Sequence, residues 1–180
     1  MRKIVTGLFI SLDGVVESPS DWLLSSPDIW EVVSAGIAQS DAILLGRRTY
    51  LQFAELWPNQ GSDVPMADFL NNTPKHVVSS TLDTLDWASS SLVTGDLAGE
   101  VAKLREQPGK NIQIPGSPTL VRSLLRDGLL DELSLMVHPI VVGSGMRLFD
   151  SMTEQVRLKL VESTTLSTGV VSVTYQPTSG

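Results

Sequence analysis

The sequence predicts a three-layer α/β/α domain, with a mostly parallel central sheet and an antiparallel hairpin at its C-terminal end. Two observations carry this. Short β-branched apolar runs alternate with helical stretches through most of the chain, the order that makes parallel strands joined by crossover helices. The last two such runs, residues 156–165 and 170–175, have no helix between them and read as an antiparallel pair. No composition shift, repeat or linker divides the chain, so residues 1–180 are expected to form a single domain of ordinary size.

The elements follow in order. Residues 3–10 read as a first strand. Ser26 and Pro27 suit an N-cap and first helical position, and apolar residues then recur at Ile29, Val32, Val33, Ala35 and Ile37 on one helical face. Residues 41–45 form a short buried strand that ends at Gly46, and a helix follows from about residue 48 to residue 56, before Pro58. Residues 76–79 give a third strand, and residues 92–93 a short further one. Asp96 can cap a helix running to residue 104. Residues 111–114 are a strand, and Ser117-Pro118 opens a helix with Leu120, Val121, Leu124 and Leu125 on one face and Gly128 as its stop. Residues 132–137 are the last strand before the terminal pair.

Composition removes several classes of function. Thirteen Lys plus Arg face twenty Asp plus Glu, a net charge of −7, which argues against a protein that coats nucleic acid. A small local basic cluster can still hold one phosphate ligand. There are no cysteines, which excludes disulfides, thiolate nucleophiles and zinc–thiolate sites. His76 and His138 alone cannot build a histidine-rich centre, so no metal is expected. No apolar run reaches the ~18 residues a membrane span needs. The N-terminus lacks a signal-peptide pattern, so the expectation is a cytoplasmic protein with no membrane partner.

Four segments could carry chemistry. In Leu44-Leu45-Gly46-Arg47-Arg48-Thr49-Tyr50 a buried strand turns at a glycine into a helix. Free N–H groups and the positive dipole end, joined by Arg47, Arg48 and Thr49, suit a phosphate; the plainer reading is a capped helix with solvated arginines. In Ile114-Pro115-Gly116-Ser117-Pro118-Thr119-Leu120 the same pattern recurs. Gly116 lets a ligand approach the backbone, and Ser117 and Thr119 can donate to a phosphate; the plainer reading is a turn with an N-cap serine. Both junctions fall at strand C-terminal ends, where open sheets bind ligands, and together they suggest a dinucleotide. The loop Ser11-Leu12-Asp13-Gly14, with Glu17, Ser20, Asp21 and Trp22 after it, could hold a planar substrate with Trp22 as a wall; otherwise it is a turn with a packed aromatic. Val141-Val142-Gly143-Ser144-Gly145 lacks the third glycine of a dinucleotide fingerprint and reads as a connection between strands.

Taken together these segments resemble the dihydrofolate reductase-like superfamily. The branch is that of the C-terminal reductase domain of the bifunctional riboflavin-biosynthesis deaminase/reductase. Besides the segments above, the resemblance rests on Val77-Val78-Ser79-Ser80-Thr81, Val121-Arg122-Ser123-Leu124-Leu125, Gly128-Leu129-Leu130-Asp131-Glu132-Leu133, His138-Pro139 and Gly143-Ser144-Gly145-Met146-Arg147-Leu148-Phe149, in family order.

The resemblance implies a dihydrofolate reductase-like fold and an NADPH-dependent reductase acting on a small molecule. It sets Gly46, Arg47, Arg48 and Thr49 against the cofactor phosphates. It brings Ser79, Ser80 and Thr81 near the adenosine ribose and its 2′-phosphate, and lays Gly116, Ser117, Pro118, Thr119 and Leu120 over the pyrophosphate. Trp22 falls beside the nicotinamide and Ser20 at the substrate. Asp13 is the candidate for orienting substrate; as a proton donor it would need a raised pKa. The chain departs from the family where many relatives carry Arg in place of Ser80, where they carry an acid in place of Pro115, and where Gln52-Phe53-Ala54-Glu55-Leu56-Trp57 replaces an Asp-Asp-Pro segment with its downstream Arg for substrate phosphate. The expected activity resembles 5-amino-6-(5-phosphoribosylamino)uracil reduction. The alternatives are dihydrofolate reduction or a non-catalytic nucleotide-binding module. A homodimer is expected, paired through the sheet.

Overall fold

The computed structural model describes residues 1–178. Eight strands form one sheet in the order β4-β3-β2-β5-β1-β6-β8-β7. They are β1 (Ile4–Ser11), β2 (Ser40–Gly46), β3 (Lys75–Val78), β4 (Ser90–Val93), β5 (Asn111–Ile114), β6 (Glu132–His138), β7 (Leu158–Thr165) and β8 (Val171–Pro177). The first six run parallel, and β8 pairs antiparallel with both β6 and β7. The expected mostly parallel sheet with an antiparallel terminal hairpin is therefore present.

Strand alternation sorts the residues onto two faces. Ile4, Leu8 and Ile10 of β1, Ala42 and Leu44 of β2, Ile112 and Ile114 of β5, and Leu133 and Leu135 of β6 form the main core. Helices α4 (Leu97–Glu106) and α5 (Pro118–Arg126) close that face through Val101, Leu104, Leu120, Val121, Leu124 and Leu125. The stripe of α5 read from the sequence is buried at every position. Asp96 caps α4 as expected, its carboxylate accepting from Gly99 N at 3.0 Å.

The opposite face carries α1 (Pro27–Ala38), α2 (Arg47–Leu56) and α3 (Ala67–Asn72). Tyr50 and Leu70 pack on Ile43, Leu45 and Val77. The stripe predicted for α1 behaves differently: of its apolar residues Ile29 alone is buried, Val32, Val33 and Ile37 are partly so, and Ala35 is exposed. The sheet surface beneath α1 explains this. Near the start of α1 that surface is apolar, and Ile29 joins Met136, Leu166 and Val170 in a small core against which Phe9, Val32 and Val33 pack. Farther along it carries Gly7, Gln113, Ser134 and Thr174, and there the helix stands off the sheet over a cleft.

The sequence reading missed α3, six residues being too short for a periodic signal. Its C-terminal end is closed by fully buried Lys75, whose Nζ donates to the carbonyls of Leu70 (2.9 Å), Asn71 (3.2 Å) and Thr73 (2.9 Å) and lies 4.4 Å from the Trp87 ring centroid. Among the described residues no helix is long and apolar enough to cross a membrane.

Candidate active site

A cleft of about 1240 Å³ runs along the α1–α2 side of the sheet from the ends of β2 and β5. At its head stand the two strand–glycine–helix junctions, and the fold joins them directly. The Gly46 N–H donates to Ser117 Oγ (2.9 Å), and the Ser117 N–H donates to Thr49 Oγ1 (3.0 Å). Ser117 takes a left-handed backbone, φ 56°, and does not cap α5 with its side chain. The N-cap expected of Ser117 is thus replaced by a cross-link between two turns that are remote in sequence.

Close packing at this junction accounts for a glycine at position 116. A Cβ there would lie 2.9 Å from Thr49 Cγ2, and Thr49 is itself buried. Gly46 caps α2 without a side-chain bond, so the first amides of α2 face outward beside the exposed guanidiniums of Arg47 and Arg48. Pro118, Thr119 and Leu120 join the lining from α5. The Ser117 and Thr49 hydroxyls each accept one backbone N–H, which leaves their own O–H free to donate. The head of the cleft is therefore electropositive and backbone-rich, fit for a pyrophosphate.

The residues after β3 sit one strand over, because Val78 pairs with Gly46. Ser79 is buried, and its Oγ accepts from Thr81 N (3.2 Å) and Leu82 N (3.1 Å), so its acceptor capacity is spent on its own turn. Ser80 and Thr81 are exposed. None of the three lines the cleft; Val78 does.

The loop between β1 and α1 forms the other wall. Ser20 lines the cleft with Glu17, Ser18 and Pro19. Trp22 is not among the lining residues. Its indole N–H donates to Glu17 O (2.9 Å), and its ring packs edge-on against His138, centroids 5.6 Å apart. His138 is fully buried, accepts the Leu24 N–H at Nδ1 (3.1 Å) and also packs edge-on against Phe9. Burial pushes the pKa of this imidazole down. It thus anchors the loop that carries Trp22.

Asp13 is held within a network of donors. Its carboxylate accepts from Ser11 Oγ (2.6 Å), Val142 N (3.0 Å) and Gly143 N (2.9 Å), and Arg147 Nη2 lies at 3.5 Å. These donors, led by the Ser11 hydroxyl, hold its pKa far below the usual carboxylate range. It lies outside the cleft lining and is the wrong acid for donating a proton; it ties the β1–α1 loop to the β6–β7 connection.

Of two further cleft residues, Glu17 was read as part of its loop and Gln113 escaped the sequence reading. Glu17 accepts from Met146 N (2.9 Å) and faces Arg48 Nη2 at 3.4 Å, linking the two walls. Gln113 lies on the floor of the cleft, 7% exposed. Its signal was present as a polar residue inside the apolar run Ile112-Gln113-Ile114.

The geometry finds its counterpart among known proteins. The sequence model of the RibD C-terminal domain family matches residues 2–172. The chain belongs to the RibD C-terminal domain family. It is 31% identical over 180 residues to the uncharacterized protein YyaP of Bacillus subtilis, covering 97% of this chain and 94% of that one. Three solved structures share its fold. Acinetobacter baumannii RibD superposes with a TM-score of 0.71 at 18% identity, over 99% of this chain and 59% of that one. The diaminohydroxyphosphoribosylaminopyrimidine deaminase/5-amino-6-(5-phosphoribosylamino)uracil reductase of Thermotoga maritima gives 0.69 at 16%, over 98% and 57%. Enterococcus faecalis dihydrofolate reductase, solved with NADP(H), gives 0.66 at 13%, over 98% and 97%. The fold of this RibD C-terminal domain member is therefore dihydrofolate reductase-like, as the motifs implied.

Proposed function

We propose that this chain is an NADPH-dependent reductase that delivers hydride to a small heterocyclic substrate, an oxidoreductase akin to the reductase named for the T. maritima protein. The observation that carries the reading is the hydrogen-bonded junction of the Gly46 and Gly116 turns, which gathers two helix N-termini and two arginines at one end of a long cleft. A reduced nicotinamide, when bound, supplies the hydride from its C4. The protein's own residues bind and position. Arg47, Arg48 and the first α2 amides would hold the phosphates. The Gly116 backbone would let the pyrophosphate approach, and Arg47 or Arg48 would supply the charge for a 2′-phosphate that Ser80 cannot. The Ser18–Ser20 stretch would screen the reacting ring from water. Asp13 stays ionised in its loop, so it would not donate the proton that completes reduction.

Titration calorimetry with NADPH and NADH tests this. Binding of NADPH is expected, tighter than NADH, and Arg47→Ala with Arg48→Ala should weaken it by about tenfold or more, the scale of one charge-assisted bond. Absence of heat with both nucleotides from folded protein would sink the reading. Binding without nucleotide oxidation across a panel of pterins and ribosylated pyrimidines would favour the non-catalytic alternative.

A further inference from the structure

The half of the cleft beneath α1 has a chemistry unlike its head. Its helix wall is Val32, Val33 and Ile37, and its floor is Gln113, Ser134 and Thr174. Gln113 sits on β5 between two residues that face the opposite side of the sheet into the main core. It is more than nine-tenths buried and lines the cleft, and no side-chain hydrogen bond to another described residue engages its carboxamide. Gly7, beside it on β1, makes room: a Cβ there would press to 3.2 Å from Gln113 Nε2. Ser134 and Thr174 share one hydrogen bond at 2.9 Å, which leaves one hydroxyl proton free beside the open Gln113 amide. A carboxamide offers a donor and an acceptor side by side, the complement of a ring that carries N–H next to C=O.

Charge narrows the ligand further. The cations lining the whole cleft are Arg47 and Arg48, both in the first turn of α2. The far half has Glu132 and Glu162 on its border instead. Of the lysines that precede β1 and β5, Lys3 pairs with the border carboxylate itself, Nζ to Glu132 Oε1 at 2.7 Å, and Lys110 Nζ donates to the Ala38 carbonyl at 2.9 Å. A phosphate ester placed beneath α1 would meet the Glu162 carboxylate and a Glu132 already paired with Lys3, and no cation of the lining. Partly enclosed anions without a partner are strongly disfavoured.

We infer that the acceptor half of this cleft takes an uncharged, planar heterocycle with a lactam-type edge read by Gln113, and rejects a phosphorylated ribosylaminopyrimidine. The inference rests on the reductase reading for the hydride but not for the ring. The test uses the whole chain, with and without NADP+, titrated with 5-amino-6-(ribosylamino)uracil, its 5′-phosphate and 6-methylpterin.

At least one uncharged ring should bind, and the ribosylaminouracil should bind about tenfold or more tighter than its 5′-phosphate. Gln113→Leu should weaken ring binding by about tenfold while the NADP+ affinity stays put. Gln113→Glu, nearly isosteric, makes the same loss readable if the leucine variant folds poorly. Equal or tighter binding of the phosphate, unchanged ring affinity in both variants, or no binding of either neutral ring would overturn the inference. Failure of NADP+ to bind while the neutral rings bind with this preference would remove the reductase reading and leave the ring assignment standing.

Discussion

Gly116 and Asp13 show how single residues hold the site. A methyl at position 116 collides with the Cγ2 of a buried, β-branched Thr49 that cannot swing aside. Gly116→Ala should therefore cost about 1–3 kcal/mol, the usual scale of overpacking. It should also weaken NADPH binding, because the Ser117–Thr49 bond would be displaced; denaturant unfolding and calorimetry read the two effects. Asp13→Asn should loosen the contact with Val142, Gly143 and Arg147 and lower stability. It should leave the acidic limb of any pH–rate profile in place, since the wild-type carboxylate is already ionised. A shifted limb would restore Asp13 as a proton donor.

At the scale of elements, α1 is held at its N-terminal end, by Ile29 in a small core with Met136, Leu166 and Val170 and by a polar link in its first turn. Asp28, in its first turn, accepts from Ser26 Oγ and Ile29 N, and from Ser167 N (2.7 Å) and Oγ (3.1 Å) in the β7–β8 turn. Led by the Ser26 hydroxyl, these donors lower its pKa to about 2. The folded value lies below the unfolded one, so the stabilisation is fully present above the unfolded carboxylate pKa and is lost as pH falls through about 2. Unfolding followed from neutral to acid pH should show less acid sensitivity in Asp28→Asn than in the native protein. Equal sensitivity would mean that this link does not govern how α1 docks.

At the scale of the whole molecule, β8 covers β6 and β7 is the outer strand of that side, with Leu160 and Val161 about half exposed. An edge with apolar side chains pairs readily with another chain, and we propose that it does so with a second copy of this protein. Light scattering after size exclusion should give a homodimer, and Leu160→Lys with Val161→Lys should shift it to monomer. A monomer at all concentrations in the native protein refutes the proposal.

The sequence by itself determined the layer order, the parallel sheet with its terminal hairpin, the α5 core stripe and the two glycine turns. Each is written in local periodicity or in a short turn signal, which depends on neighbours along the chain. Only the tertiary structure decided that Ser117 and Thr49 cross-link those turns, and that Trp22 leans on His138 instead of facing the cleft. It also turned Asp13 into a loop fastener and left Gln113 bare on the cleft floor. Those outcomes depend on which side chain from a distant segment arrives first at a hydrogen-bonding group or an apolar face, and no spacing along one strand or helix encodes that meeting.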